Sequence, residues 1–140
     1  MYLKWVKTES VNVKRAIALA VKYESKSAES KKWKTYFRLI DPLMSEEAEY
    51  IRKNLGPFAI GDGLLSRYPK QIFEACEKWS KSQNENVRWN TAMIFTAAAA
   101  RKFAKNGQRV LKPLTKDKSS FVSRAAIKAL KMIEKSTANN

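Results

Sequence analysis

The sequence predicts an all-α protein, folded as a right-handed α-α superhelix in which about four similar helix pairs stack into a solenoid. Four stretches of the chain resemble one another, and each is centred on an apolar residue that we call its anchor. The anchors are Val13, Ile51, Val87 and Val122, which lie 38, 36 and 35 residues apart. The chain also has only 4 glycines and lacks alternating apolar runs, so strands are not favoured.

An apolar stripe precedes each anchor and predicts the first helix of each pair. The residues eight positions before the anchors are Trp5, Leu43, Trp79 and Leu114. A short polar residue lies five positions before each anchor: Thr8, Glu46, Ser82 and Asp117. Such a residue can cap the free N–H groups of the helix that follows. We therefore predict units of helix, tight turn and helix, with Trp5 and Trp79 in the core.

The predicted units span about 1–23, 33–61, 69–102 and 108–135 of a single domain, 1–140. The apolar stripe of the first unit begins at residue 1, so its first helix is cut short. Because a terminal repeat normally needs a polar cap, we expect either a longer array or an open end that packs against something. The chain would then be a monomer, or a dimer through this N-terminal unit.

The second helices of the second and third units are predicted to differ. In the second unit Gly56-Pro57, followed by Gly61-Asp62-Gly63, predicts a kink or an early helix end. In the third unit we expect one long helix from Val87 through the alanine run 97–100. The segment 105–107 then predicts a helix end and a turn before the fourth unit.

Charge is the strongest compositional signal. The 28 Lys and Arg residues outnumber 13 Asp and Glu residues, which gives a formal net charge of +15. A small domain ordinarily carries a net charge of about 2–8, so this excess predicts a polyanionic partner. We expect nucleic acid, with DNA favoured over RNA, or alternatively an acidic protein.

Absent residue types exclude several kinds of chemistry. The chain has no His, which excludes Ser-His or Cys-His catalysis and His-ligated metals. It has no glycine-rich phosphate loop, and we expect neither a metal nor a cofactor. The single Cys76 lies at a core position, which fits a reducing, cytoplasmic location. No signal peptide or long apolar run predicts a membrane segment.

Basic residues recur in the two positions after the anchors. They are Lys14, Arg15, Arg52, Lys53, Arg88 and Arg124. Equivalent positions line up in a solenoid, so these side chains would form a basic row along one helix edge, beside helix N-termini that favour phosphate. The alternative is that each cation pairs with an acid of the neighbouring unit and is structural. Other predicted contacts are Arg101 and Lys102 at the junction of the third and fourth units, and Lys128.

Trp89 occupies a position where the other units have a cation. An indole there is either a stacking platform for bases or sugars, or a packing residue between units. Asn90 follows it and could donate hydrogen bonds to the same ligand.

The segments LIDPLMSEEAEYIRKNLG and VLKPLTKDKSSFVSRAAIKAL resemble HEAT repeats. More narrowly, the basic units together with WSKSQNENVRW resemble the HEAT-like alkylpurine DNA glycosylase and DNA alkylation repair family. That resemblance implies DNA binding. If it extends to activity, it implies an Asp that stabilises the cationic sugar as an alkylated base departs, and Asp62 is the candidate. The alternative for Asp62 is a capped turn between two glycines.

The sequence thus favours a protein that binds the backbone of duplex DNA, related to DNA alkylation repair proteins. Two alternatives stay open. One is an alkylpurine DNA glycosylase with Asp62 in its site. The other is a protein-interaction scaffold whose groove holds an acidic partner, a role common among HEAT arrays.

Overall fold

The computed structural model describes residues 10–27 and 32–138, which contain helices and no strand. The all-α prediction is thereby confirmed for these residues. The predicted first helix of the first unit, with Trp5, lies outside them. The α-helices in chain order are α1 (Val11–Ser27), α2 (Trp33–Ile40), α3 (Glu49–Asn54), α4 (Leu65–Arg67), α5 (Pro69–Trp79), α6 (Glu85–Ile94), α7 (Ala104–Leu114) and α8 (Ser120–Ala138). A 3₁₀ turn follows α2 (Asp41–Ser45), a π-helix joins α3 to α4 (Leu55–Leu64), and a second 3₁₀ turn precedes α7 (Ala98–Phe103).

Short polar side chains start the later helices. Asn84 precedes α6, and its side-chain oxygen accepts a hydrogen bond of 2.8 Å from the backbone N–H of Asn86. Before α8, Asp117 accepts a hydrogen bond of 2.9 Å from the N–H of Ser119. Pro69 opens α5, where its missing N–H costs nothing. These local signals explain why helices begin at these points of the chain.

The second helices of successive units pack in one row. Helix α1 packs against α3 and the π-helix, the π-helix packs against α6, and α6 packs against α8. Helices α5 and α7 contact each other and pack against α6 and α8 respectively. The helices of this row therefore bring equivalent positions of different units side by side. The right-handed superhelical path and the unit bounds stay predictions.

Trp79 lies in the core, as predicted, and joins two first helices. It is 5% exposed and stacks on Phe37 of α2, with ring centres 5.8 Å apart. Its indole N–H donates a 3.0 Å hydrogen bond to Asp41 in the turn after α2. Cys76, one turn earlier on α5, is fully buried, and burial raises the pKa of its thiol to about 12. The thiol is therefore protonated at neutral pH.

The predicted break in the second unit takes the form of a π-helix. The chain passes through Gly56 and Pro57 without leaving the helix, and the wider turns of residues 55–64 accommodate them. A Cβ atom at Gly61 would lie 2.6 Å from Cβ of Ala97 and 2.8 Å from the carbonyl oxygen of Ile94. The glycine is required because α6 and the turn after it approach the π-helix this closely.

The predicted long helix of the third unit is wrong. Helix α6 ends at Ile94, and a turn followed by 3₁₀ structure occupies 95–103. Gly107, predicted in a turn, is buried inside α7 against Ile133 and Phe95. The alanine run has high helix propensity, but packing of Ala97 on Gly61 and of Phe95 in the core decides the local structure.

Candidate binding grooves on the second helices

The residue after the anchor forms an ion pair with the next unit in two of the units. Lys14 of α1 donates a hydrogen bond to Glu46, which lies in the turn of the second unit. Arg88 of α6 pairs with Asp117, in the equivalent turn of the fourth unit, at 2.8 Å and 3.1 Å. These two cations therefore connect neighbouring units, which is the structural alternative that the sequence left open.

Arg88 and Asn90 must be removed from the predicted set of surface contacts. Arg88 is 6% exposed and also donates a 2.8 Å hydrogen bond to the carbonyl oxygen of Ser82. Asn90 is fully buried, and its side-chain amide donates to the carbonyl oxygens of Met44 and Asn86. Both side chains are buried and donate their hydrogen bonds within the protein, so neither can reach a ligand.

Arg52 is held by aromatic rings, because the turn of the third unit carries Ser82 in place of an acid. Its guanidinium donates a 3.2 Å hydrogen bond to the side-chain oxygen of Asn86. The same group lies 4.7 Å from the ring centre of Phe121 and 5.3 Å from that of Trp89. These distances are those of cation–π contacts. Arg52 thus connects three helices of the row and retains its charge without a carboxylate.

The first groove, called the Trp89 groove, lies between the third and fourth units. It has a volume of about 340 Å³ and is lined by Trp89, Met93, Phe121, Arg124, Ala125 and Lys128. The half-buried rings of Trp89 and Phe121 stack in parallel, with centres 5.2 Å apart. Trp89 therefore packs between units, which is one of its two alternatives, and it also lines a groove. Its use as a stacking platform for bases or sugars stays a prediction.

The charged residues that line the Trp89 groove are both basic. Arg124 and Lys128 are exposed one turn apart on α8, and no carboxylate belongs to the lining. Arg124 is oriented by hydrogen bonds of 3.2 Å to the carbonyl and hydroxyl oxygens of Ser120. The groove therefore combines an apolar floor with a positively charged rim.

The second groove, called the Tyr50 groove, lies between the first and second units. It has a volume of about 390 Å³ and is lined by Arg15, Glu49, Tyr50, Lys53 and Asn54. Tyr50 is 58% exposed, and the guanidinium of Arg15 lies 4.8 Å from its ring centre. Lys53 forms an exposed ion pair of 3.0 Å with Glu49. The hydrogen bond from Lys53 lowers the pKa of Glu49.

Besides Lys14, Arg52, Arg88 and Asn90, three more predicted site residues line neither groove. Arg101 and Lys102 are exposed on the 3₁₀ turn before α7. Asp62 is half-buried in the π-helix, between two glycines that pack against neighbouring backbone. Asp62 is therefore not part of the lining of the Trp89 groove.

Sequence reasoning missed the aromatic residues Tyr50 and Phe121, and also Met93. Tyr50 and Phe121 each stand directly before an anchor, so comparing that position across the units would have found them. Among the described residues, no group of three acidic, Cys or His side chains could hold a metal ion. None of the described helices combines the length and apolarity needed to cross a bilayer.

Comparison with known proteins finds a distant relative that matches part of the chain. A segment of 96 residues is 36% identical to the 26S proteasome regulatory subunit RPN2 of Saccharomyces cerevisiae, and it covers 69% of this chain. The chain spans about a tenth (10%) of the length of that relative. No family model and no solved structure matches the chain. The helical fold agrees with the predicted helical repeats, whereas nothing supports the narrower resemblance to DNA alkylation repair proteins.

Proposed function

We propose that this chain is a protein-interaction module that binds an acidic segment of a partner protein in the Trp89 groove. The observation that carries the proposal is the composition of that groove. Its charged residues, Arg124 and Lys128, are basic, and its floor is made of apolar and aromatic side chains. A segment with carboxylates on either side of an apolar residue is complementary to both features.

The distribution of paired cations favours a protein partner over a phosphate backbone. A DNA backbone would contact a continuous row of free cations, but Lys14 and Arg88 of that row are neutralised by Glu46 and Asp117. Arg124, another cation of that row, lies beside the apolar floor of the Trp89 groove, which phosphates do not use. The similarity to a proteasome regulatory subunit, by name a component of a protein assembly, points in the same direction.

Reversing one rim charge tests the proposal. We expect a fluorescent peptide of alternating Asp and Leu residues to bind the wild type, measured by anisotropy. Lys128→Glu should weaken binding about 10-fold or more, because a repulsive charge replaces an attractive one at the groove. The matched control is Lys135→Glu, which makes the same charge change on an exposed part of α8 outside the groove. If both variants weakened peptide binding equally, binding would depend on the overall charge of the protein and not on the Trp89 groove.

Duplex DNA is the second candidate ligand. The net charge of +15 favours it, as do the aromatic rings beside Arg124, since such rings can stack on bases. A DNA duplex that competes with the peptide, and whose affinity falls steeply with salt, would support this candidate. For alkylpurine excision, the decisive measurement is base release from methylated DNA by the wild type and by Asp62→Asn.

A further inference from the structure

The Tyr50 groove and the Trp89 groove occupy equivalent places in the repeat. In each, the residue before the anchor is aromatic, Tyr50 or Phe121, and the residue two positions after the anchor is basic, Lys53 or Arg124. In each, the aromatic ring contacts the residue that stands two positions after the anchor of the preceding unit. Arg15 lies 4.8 Å from the Tyr50 ring centre, and the Trp89 ring centre lies 5.2 Å from that of Phe121.

The junction between these two grooves is built differently. There the residue before the anchor is Asn86, which is 7% exposed and accepts a hydrogen bond from Arg52. A buried amide thus replaces the aromatic ring that borders each groove. The junction between the two grooves therefore has no aromatic residue directly before its anchor.

We infer that the Tyr50 groove is a second binding site for the same class of ligand, a short acidic segment that carries an apolar side chain. This inference rests on the function proposed above. Arg15 and Lys53 supply the positive charge, and the exposed face of Tyr50 supplies the apolar contact. A partner with two such segments joined by a linker that spans both grooves would bind more tightly than one with a single segment.

Glu49 distinguishes the two sites. Its carboxylate already contacts Lys53 at 3.0 Å, so it competes with the carboxylates of a ligand. Because both side chains of this pair are exposed, the pair is weak and a ligand can replace Glu49. The Tyr50 groove is thus the weaker site, and removing the charge of Glu49 should strengthen it alone.

Amide NMR shifts of the whole chain, titrated with the single Asp-Leu peptide, test this inference. We expect two groups of shifted amides, one around Lys53 and Asn54 and one around Arg124 and Ala125. Tyr50→Ala should abolish the first group only. The matched control is Tyr23→Ala, which removes another exposed tyrosine, 64% exposed on α1, and should leave both groups. Glu49→Gln should tighten binding at the first group severalfold and leave the second unchanged.

Other outcomes would contradict the second site, the proposed function or both. Shifts confined to the Arg124 group, identical in wild type and Tyr50→Ala, would overturn the second site and leave the proposed function standing. Shifts near Lys53 that persist in Tyr50→Ala would also overturn it, since they would reflect charge alone. No shift at either groove would overturn the proposed function and this inference together. If a DNA duplex shifted both groups and the peptide shifted neither, the acidic segment would be the wrong ligand.

Discussion

The role of a residue in one unit depends on which side chain the neighbouring unit places beside it. Lys14, Arg52 and Arg88 stand at the same position relative to their anchors. Where the next turn supplies Glu46 or Asp117, the cation is neutralised by a carboxylate. Where the next turn supplies no carboxylate, Arg52 lies against two aromatic rings instead. One amino-acid difference in a turn therefore decides whether the cation pairs with a carboxylate or with aromatic rings.

The pair of Arg88 and Asp117 should make stability depend on pH. Burial opposes ionisation of Asp117, but hydrogen bonds from Arg88 and from the N–H of Ser119, with the charges of Arg88 and Lys118, outweigh it and lower the pKa. A lowered pKa stabilises the fold above the ordinary aspartate pKa of about 3.9, and this stability is lost as the pH falls through the lower folded-state value. We expect Asp117→Asn to lower the unfolding free energy at pH 7 by roughly 3 kcal/mol, because Arg88 is left buried without its partner.

Urea unfolding followed by circular dichroism from pH 7 to pH 2 measures this effect. The difference between wild type and Asp117→Asn should shrink as the pH falls from the ordinary aspartate pKa through the lower folded-state value, because Asp117 then becomes protonated and uncharged like the asparagine. Glu47→Gln, which changes an exposed carboxyl, should show little difference at any pH. If the difference for Asp117→Asn stayed constant from pH 7 to pH 2, the stability that Asp117 contributes would not come from its negative charge.

At the scale of elements, close packing overrides local preference. The segment with Gly56 and Pro57 remains helical as a π-helix, and the alanine run 97–100 does not continue α6. Ala97 and the Ile94 carbonyl approach Gly61 closely, which fixes the turn after α6. In the alanine run, propensity differences of up to about 0.7 kcal/mol per residue are smaller than the roughly 1–3 kcal/mol that disturbing a close-packed contact costs.

Gly61→Ala should therefore destabilise the fold, by roughly 1–3 kcal/mol, because the new Cβ meets a backbone carbonyl and a short side chain that cannot move aside. Gly107→Ala is the matched control. Its Cβ would lie 2.6 Å from Cδ1 of Ile133, the end of a flexible side chain, and 3.0 Å from Cδ1 of Phe95, and alanine favours the helix by up to about 1 kcal/mol, which offsets part of this cost. Thermal unfolding should show a lower midpoint for Gly61→Ala than for Gly107→Ala. A midpoint equal to that of wild type would show that the π-helix has room at Gly61.

At the scale of the whole molecule, the positive charge exceeds what the internal ion pairs can neutralise. The described residues contain three ion pairs, and one of them, between Lys53 and Glu49, is exposed. The formal net charge is +15. Like charges in a compact protein repel one another, so this excess of positive charge opposes folding.

Salt should therefore stabilise the chain. Raising the ionic strength from 0.01 M to 0.15 M shortens the Debye length from about 30 Å to about 8 Å, which screens the repulsion between cations. We expect the melting midpoint to rise over this range in sodium chloride, and not with an equal osmolality of glycerol. A midpoint that falls with added salt would show that attractive pairs outweigh the repulsion.

Periodicity accounts for the parts of the fold that the sequence could predict. The helices, the core positions of Trp79 and Cys76, and the buried anchors Ile51 and Val122 follow from which face of a helix is apolar. The burial of Arg88 and Asn90 did not follow, because each is hydrogen-bonded to a group from a distant part of the chain, Asp117 or the carbonyl oxygen of Met44. The sequence predicted the cations of the two grooves, but it did not predict that Tyr50 and Phe121 line them.

The sequence by itself determined that this protein is helical, that its units recur with a period near 36 residues, and that its surface is strongly basic. Apolar periodicity and net charge are properties of the chain alone, so folding cannot change them. Only the tertiary structure decided which cations are neutralised and where aromatic rings and free cations form a groove. Those outcomes depend on contacts between residues about 30 positions apart or more, such as Arg88 with Asp117, and local spacing does not encode them.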